Sequence, residues 1–245
     1  SICQATLDNK GDLGIIFDTD VDRAAIVGSD GRPINKNALI ALISTIILEE
    51  HPGTTIVTDS VTSNGLAKFI KARGGIHHRF KRGYKNVINE AIRLNEEGKE
   101  SHLAIETSGH AAIKENYFLD DGAYLISKIL VKAAQLYRES QDIGKLIGDL
   151  DEALEDKEVR LKIEDKDFRA YANNIINSLS EKVKTIDGWT QVSENYEGIR
   201  VDCRDEKGWF LMRSSLHEPL LVINFESDIQ GGCDMIYERL SALIK

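Results

Sequence analysis

The chain has 245 residues, 42% hydrophobic and 29% charged, with a formal net charge of −9. This length and balance suit one large globular domain or two smaller ones with real cores. The acid excess argues against nucleic-acid binding and anionic-membrane docking, both of which need basic surface, but leaves room for an anionic small molecule in a local pocket.

Residues 1–10 read as a helix tail running into a strand, so an N-terminal part is expected to precede them. Residues 13–17 (Leu-Gly-Ile-Ile-Phe) form a short apolar run that reads as a buried strand. The run stops at Asp18, Asp20 and Asp22, three carboxylates at alternate positions, followed by Arg23. Like charges at that spacing repel one another, which favours a bound cation. Hard oxygen ligands suit Mg²⁺ or Ca²⁺ better than zinc. An EF-hand opens with the same alternation, but Arg23 and Ser29 stand where it needs glycine and glutamate. Residues 24–28 read as a second strand and 29–33 as a turn.

From residue 34 helices and strands alternate. Asn35 caps a helix to about residue 50, apolar at Leu39, Leu42, Ile43, Ile46 and Ile47. Strands at 54–58, 76–80 and 102–106 are separated by helices at 63–72 and 84–97. A further helix starts at Asp120 and Asp121, where negative charge suits the helix dipole, and runs to about residue 137. This order predicts an α/β fold: a three-layer αβα domain with a mixed, mostly parallel sheet. After an acidic stretch the pattern becomes strand, helix, three short strands and helix. That predicts a smaller α+β domain with a mostly antiparallel sheet. The expected boundaries are 1–33, the end of a preceding α/β domain carrying the acidic loop; 34–141, the main α/β domain; 142–158, a linker; and 159–245, the α+β domain. The most apolar segment, residues 38–48, is too short to span a bilayer, so membrane insertion is not expected. Cys3, Cys203 and Cys233 lack zinc spacing and read as packing residues in a reducing intracellular compartment such as cytoplasm or plastid.

Three further motifs carry polar chemistry. Glu106, Ser108 and His110 lie at the end of a strand, on the edge where open α/β sheets bind ligands. A carboxylate, a hydroxyl and an imidazole separated by small residues suit sugar hydroxyls. Lys81, Arg82 and Lys85 follow the preceding strand and could steady a phosphate. Arg213, Ser215 and His217 sit in a tight loop between two strands of the last domain, a plausible anion cradle.

The acidic loop alone is compatible with a haloacid-dehalogenase-like phosphatase. The acidic loop, the Glu-x-Ser-Gly-His stretch at 106–110 and the Arg-Ser loop at 213–219, in that order, resemble the α-D-phosphohexomutase superfamily over essentially the whole chain. The resemblance implies a Mg²⁺ site at Asp18, Asp20 and Asp22, sugar contacts from Glu106 and Ser108, and phosphate contacts from Lys85, Arg213, Ser215 and His217. The resemblance also implies catalytic roles for Arg23, in positioning the loop or the phosphate, and for His110, in proton transfer. It further implies a phosphorylated hexose as partner, and an enzyme that moves phosphate between the 1- and 6-positions through a phosphoserine and a bisphosphate. That serine belongs to a first domain not found here, so this chain alone is expected to be inactive: part of a larger mutase, or alternatively an incomplete binding or scaffold subunit. Departures from the family pattern are Thr19 for the usual glycine, Leu216 and His217 for Gly-Thr, and Val222 for a later arginine.

Overall fold

The computed structural model describes residues 1–215 and 218–244. The chain forms two compact units, Ser1–Asp151 and Glu152–Lys245. The first contains, in order, α1 (Ile2–Asp8), β1 (Leu13–Phe17), β2 (Ala24–Gly28), β3 (Pro33–Ile34), α2 (Lys36–Glu50), β4 (Thr55–Thr58), α3 (Asn64–Ala72), β5 (Ile76–Arg79), α4 (Tyr84–Glu96), β6 (Ser101–Ile105), β7 (Ala111–Ile113) and α5 (Gly122–Arg138). Short 3₁₀ turns occupy Lys114–Asn116 and Ile143–Ile147.

The main sheet has the order β5-β4-β6-β7, with β4 parallel to β5 and β6, and β7 antiparallel to β6. Successive residues of β4 face opposite sides. Ile56, with Leu103 and Ile105 of β6, packs among apolar residues of α2, α3 and α5. Val57, with Ala104 and Ala112, packs against Val87, Ala91 and Leu94 of α4. The layers are therefore helix, sheet and helix. The amphipathic helix expected from residue 35 is buried on all sides from Ala38 to Leu48. Its only polar residues there are Ser44 and Thr45; the Thr45 hydroxyl donates back to Ala41 O at 3.0 Å, while the buried Ser44 hydroxyl has no hydrogen-bond partner among the described residues.

β1, β2 and β3 form a separate antiparallel sheet. Here the structure corrects an expectation: β1 is a strand, but Ile16 is 49% and Phe17 38% exposed. Among the described residues β1 pairs with β2 alone, and α1 packs closely over Gly14, where a Cβ would lie 2.1 Å from the Thr6 hydroxyl. Ala24, Ile26 and Ile34 enter the same core as the main sheet, so residues 1–33 pack as one body with residues 34–151.

The second unit comprises β8 (Glu155–Lys162), α6 (Phe168–Val183), β9 (Trp189–Gln191), β10 (Ile199–Cys203), β11 (Gly208–Ser214), β12 (Leu220–Ser227) and α7 (Gly232–Ile244). Its sheet is antiparallel throughout, in the order β8-β12-β11-β10-β9. One face carries Val201, Phe210, Ile223 and Phe225 against Ala172 and Leu179 of α6 and Ile236 and Leu240 of α7. Cys203 and Cys233 are buried there, and desolvation pushes both thiols up, Cys233 to about 11. Among the described residues, no helix is long and apolar enough to cross a membrane.

The expected linker is shorter than residues 142–158. Ile143 is buried in the first core, and β8 already begins at Glu155. Arg73 holds the intervening segment. Its guanidinium donates to Asp149 at 2.7 and 3.1 Å and to Leu146 O at 3.1 Å, and it lies 3.5 Å above the Phe69 ring. Gly65 admits the Asp151 carbonyl, which a Cβ would meet at 2.0 Å. Arg73→Ala should therefore release this segment and raise the rate of lysine-specific cleavage at Lys145 by roughly tenfold, read by limited proteolysis. Arg73→Lys should rescue only in part, because an ammonium lacks the planar fork.

Candidate functional site

The β1–β2 connection carries the acidic loop. Asp18 N donates to Arg23 O at 3.3 Å, Val21 N to Asp18 O at 3.3 Å, and Arg23 N to Asp18 Oδ1 at 3.2 Å. Arg23 Nε pairs with Asp18 Oδ2 at 2.7 Å and lies 3.7 Å from Asp22 Oδ1. Val21 adopts φ +65°, a strained conformation for a β-branched residue. Carboxylate oxygens of Asp18, Asp20 and Asp22 all lie within 4.8 Å of one another.

This loop is seated on the Glu106–His110 turn and on the start of α5. Arg23 forms an isolated antiparallel bridge with His110. Gly122 N donates to Val21 O at 3.1 Å, and a Cβ at Gly122 would stand 2.9 Å from both Val21 O and the Arg23 carbonyl carbon. Gly109, at φ +100°, approaches the Ala24 carbonyl so closely that a Cβ would lie 3.2 Å from it. Both glycines are thus required for the two loops to meet.

His110 Nδ1 lies 2.7 Å from Asp120 Oδ2 and 3.6 Å from Asp22 Oδ2. Since Nδ1 faces carboxylates, the proton is assigned there, which leaves Nε2 able to accept from a ligand. Tyr84 stacks on the imidazole with ring centroids 4.8 Å apart. Asp120 reaches His110 because Tyr117 and Phe118 both adopt left-handed backbone conformations, turning the chain so that Asp120 bridges to Ala112. Oδ1 of Asp22 and Oδ1 of Asp120 are buried and accept no hydrogen bond among the described residues.

The carboxylates titrate apart. Desolvation pushes Asp18 up, but hydrogen bonds and charge from Arg23 reverse this and leave it below the ordinary range. Desolvation raises Asp22, and the charges of Asp20 and Asp18 add to that against the opposing pull of His110. Desolvation also raises Asp120, again opposed by His110. Three carboxylates facing one guanidinium, with an unpartnered buried oxygen, fit a hard divalent cation. Asp22, His110 and Asp120 make a second cluster within the same 4.8 Å limit, sharing Asp22.

Glu106 is buried at 5% exposure. Its Oε1 accepts from Gly83 N at 2.6 Å and its Oε2 from the Ser108 hydroxyl at 3.0 Å. Lys85 is exposed on the first turn of α4, with Nζ 5.7 Å from the Tyr84 ring centre, and makes no ion pair among the described residues. The first unit therefore gathers Asp18, Asp20, Asp22, Arg23, Glu106, Ser108 and His110. In the second unit, Arg213 is the last residue but one of β11 and is buried. Ser215 N donates to Leu220 O at 2.9 Å, and the Ser215 hydroxyl accepts from Glu218 N at 3.3 Å. The expected site residue His217 lies outside the described residues.

Sequence reasoning missed Asp59, Gly122 and Asp120's contact with His110. One signal was readable: a helix N-cap needs a single acid, and Asp121 fills that role by accepting from Tyr124 N at 2.9 Å. Asp120 was therefore surplus to capping.

Residues 35–152 match the family model described as phosphoglucomutase/phosphomannomutase, alpha/beta/alpha domain III. The chain is 28% identical over 242 residues to a phosphoglucomutase of Neisseria gonorrhoeae, covering 98% of this chain and 49% of that protein. It is 30% identical over 229 residues to a phosphomannomutase/phosphoglucomutase of Pseudomonas aeruginosa, covering 93% and 46% respectively. A crystal structure of a phosphoglucomutase/phosphomannomutase family protein from Burkholderia thailandensis superposes with TM-score 0.80 at 26% identity, over 99% of this chain and 48% of that one. The chain spans about half the length of the curated relatives it matches.

Asp59, beyond the end of β4, is fully buried, and desolvation is the largest cause of a carboxyl pKa raised to about 6. Hydrogen bonds from Thr107 and the charge of Arg82 oppose the rise, while Glu106 adds to it. A raised pKa means the folded state holds the proton more tightly than the unfolded chain. Asp59's contribution to stability is therefore present below about pH 4 and lost as pH climbs through about 6. The stability of Asp59→Asn relative to wild type should rise by up to roughly 3 kcal/mol between about pH 4 and pH 7, read by urea denaturation. Parallel pH profiles for the two proteins would contradict this.

Proposed function

We propose, because this chain belongs to the α-D-phosphohexomutase superfamily, that it supplies the cation, sugar and phosphate sites of an enzyme interconverting hexose 1-phosphate and 6-phosphate. The observation that carries the reading is the seating of the acidic loop on the Glu106–His110 turn by the Arg23–His110 bridge and the Gly122–Val21 hydrogen bond. It puts a cation-type oxygen cluster beside a carboxylate, a hydroxyl and an imidazole on the ligand edge of the sheet. Asp18, Asp20 and Asp22 would hold Mg²⁺, which when bound neutralises phosphoryl charge during transfer.

The chain's own residues would do the rest. Glu106 accepts from sugar hydroxyls, and Ser108 donates or accepts. His110, steadied by Asp120 on Nδ1, offers Nε2 to the proton of the attacking hydroxyl. Arg23 keeps Asp18 ionised and in place. Lys85 contributes positive charge, and Arg213, Ser215 and His217 of the second unit would contact the phosphate that is not being transferred. The phosphoserine is assigned to polypeptide outside these 245 residues. A second reading, a binding or scaffold subunit, is favoured by one observation. Val222, where the family resemblance calls for an arginine, is buried in β12 and paired with Arg213, so it offers no second cationic clamp.

With Mg²⁺, glucose 1-phosphate and glucose 1,6-bisphosphate, the 245-residue chain should bind Mg²⁺ by calorimetry and form no glucose 6-phosphate in a coupled assay. Asp20→Asn, at an exposed carboxylate, should weaken Mg²⁺ binding at least about tenfold without altering the fold. Turnover by this polypeptide would refute the placement of the phosphoserine. Turnover by a longer polypeptide carrying the serine would exclude the scaffold reading.

A further inference from the structure

Asp59 has no part in the chemistry proposed above, yet it is a carboxylate with no exposed surface directly after β4. β4 lies between β5 and β6, so Asp59 stands centrally on the sheet edge where ligands bind. Both its oxygens are committed to one residue: Thr107 N donates to Oδ1 at 3.2 Å and the Thr107 hydroxyl to Oδ2 at 2.7 Å. Two bonds from one carboxylate fix both the position and the rotation of Thr107, which lies between Glu106 and Ser108.

The rest of the turn is built on that anchor. Glu106 N donates to His110 O at 2.9 Å and Gly109 N to Glu106 O at 3.0 Å, closing the turn. The Glu106 carboxylate then spans Gly83 N and the Ser108 hydroxyl. An apolar side chain could occupy the Asp59 position without desolvating a charge. Burial raises Asp59 to about 6, so at neutral pH it is ionised at the expense of stability. Local rules are broken in this way mainly where geometry serves a site.

We propose that Asp59 is the positioning residue of the 106–110 turn, acting through Thr107 to set the spread of Glu106 and Ser108 for hexose recognition. The identity of the ligand rests on the phosphohexomutase reading; the clamp itself does not.

Thr107→Val keeps the side-chain shape and removes the hydroxyl, while Thr107→Ser keeps the donor. In the whole 245-residue chain, Thr107→Val should weaken glucose 6-phosphate binding about tenfold by NMR titration. It should leave Mg²⁺ affinity within about twofold, and Thr107→Ser should restore sugar-phosphate binding. Exchange of the Gly83 amide, which reports the Glu106 carboxylate directly, should quicken in Thr107→Val and recover in Thr107→Ser. Unchanged glucose 6-phosphate affinity would overturn the proposal, as would equal losses of sugar-phosphate binding, Mg²⁺ binding and melting temperature. A wild-type chain that binds no glucose 6-phosphate would overturn the sugar assignment instead. The Gly83 exchange rate would then decide the clamp alone, quickened exchange supporting it and unchanged exchange refuting it.

Discussion

The first unit depends on the docking of a strained acidic hairpin against a neighbouring turn and helix start. Val21 is held at φ +65°, and a lone hairpin would relax from it. It stays because Gly122 N–H captures the Val21 carbonyl while Arg23 and His110 bridge their backbones. The close approach leaves no room for a Cβ at Gly122. The conformation of the loop is therefore decided by α5 and by the 109–110 backbone rather than by the loop residues themselves.

That docking sets the electrostatics. Crowding raises Asp22 and Asp120, whereas Arg23 holds Asp18 down. Carboxylates a few ångströms apart are thus pushed in opposite directions, a pattern common where groups have different tasks. His110 lies between the two raised carboxylates, its Nδ1 2.7 Å from Asp120 and 3.6 Å from Asp22. The negative potential of these carboxylates, with buried Oδ1 atoms on Asp22 and Asp120 that accept no hydrogen bond among the described residues, would give the cluster its affinity for a cation in the proposed reading.

The second unit organises its polar residues differently. Arg213 is placed by the β11–β12 pairing and by Gly198, where a Cβ would lie 2.9 Å from the Arg213 Cα. The buried Glu206 is satisfied by Arg239 and by Trp189 Nε1 at 3.4 Å, with Arg239 also 4.9 Å from the Trp189 ring. That network lies beside buried Cys203 and accounts for a charge in the core without invoking a ligand.

The sequence by itself determined the order of elements, the mixed sheet with its two helical layers, and the antiparallel second unit. Apolar period and turn chemistry are local properties, readable wherever a helix or strand buries one face. The acidic alternation at 18–22 and the polar turn at 106–110 were legible for the same reason. Short strands such as β7 and β9 were not, since three residues carry too little period. The exposure of Ile16 and Phe17 was not legible either, because a strand's sequence does not say which of its sides is paired. Only the tertiary structure decided that Asp120 would meet His110, that Gly122 would admit the acidic loop, and that buried Asp59 would hold Thr107. The first depends on a chain reversal through the left-handed Tyr117 and Phe118, and the other two on backbones far apart in the chain meeting; such contacts leave no local pattern beyond a surplus acid or a glycine without an evident turn.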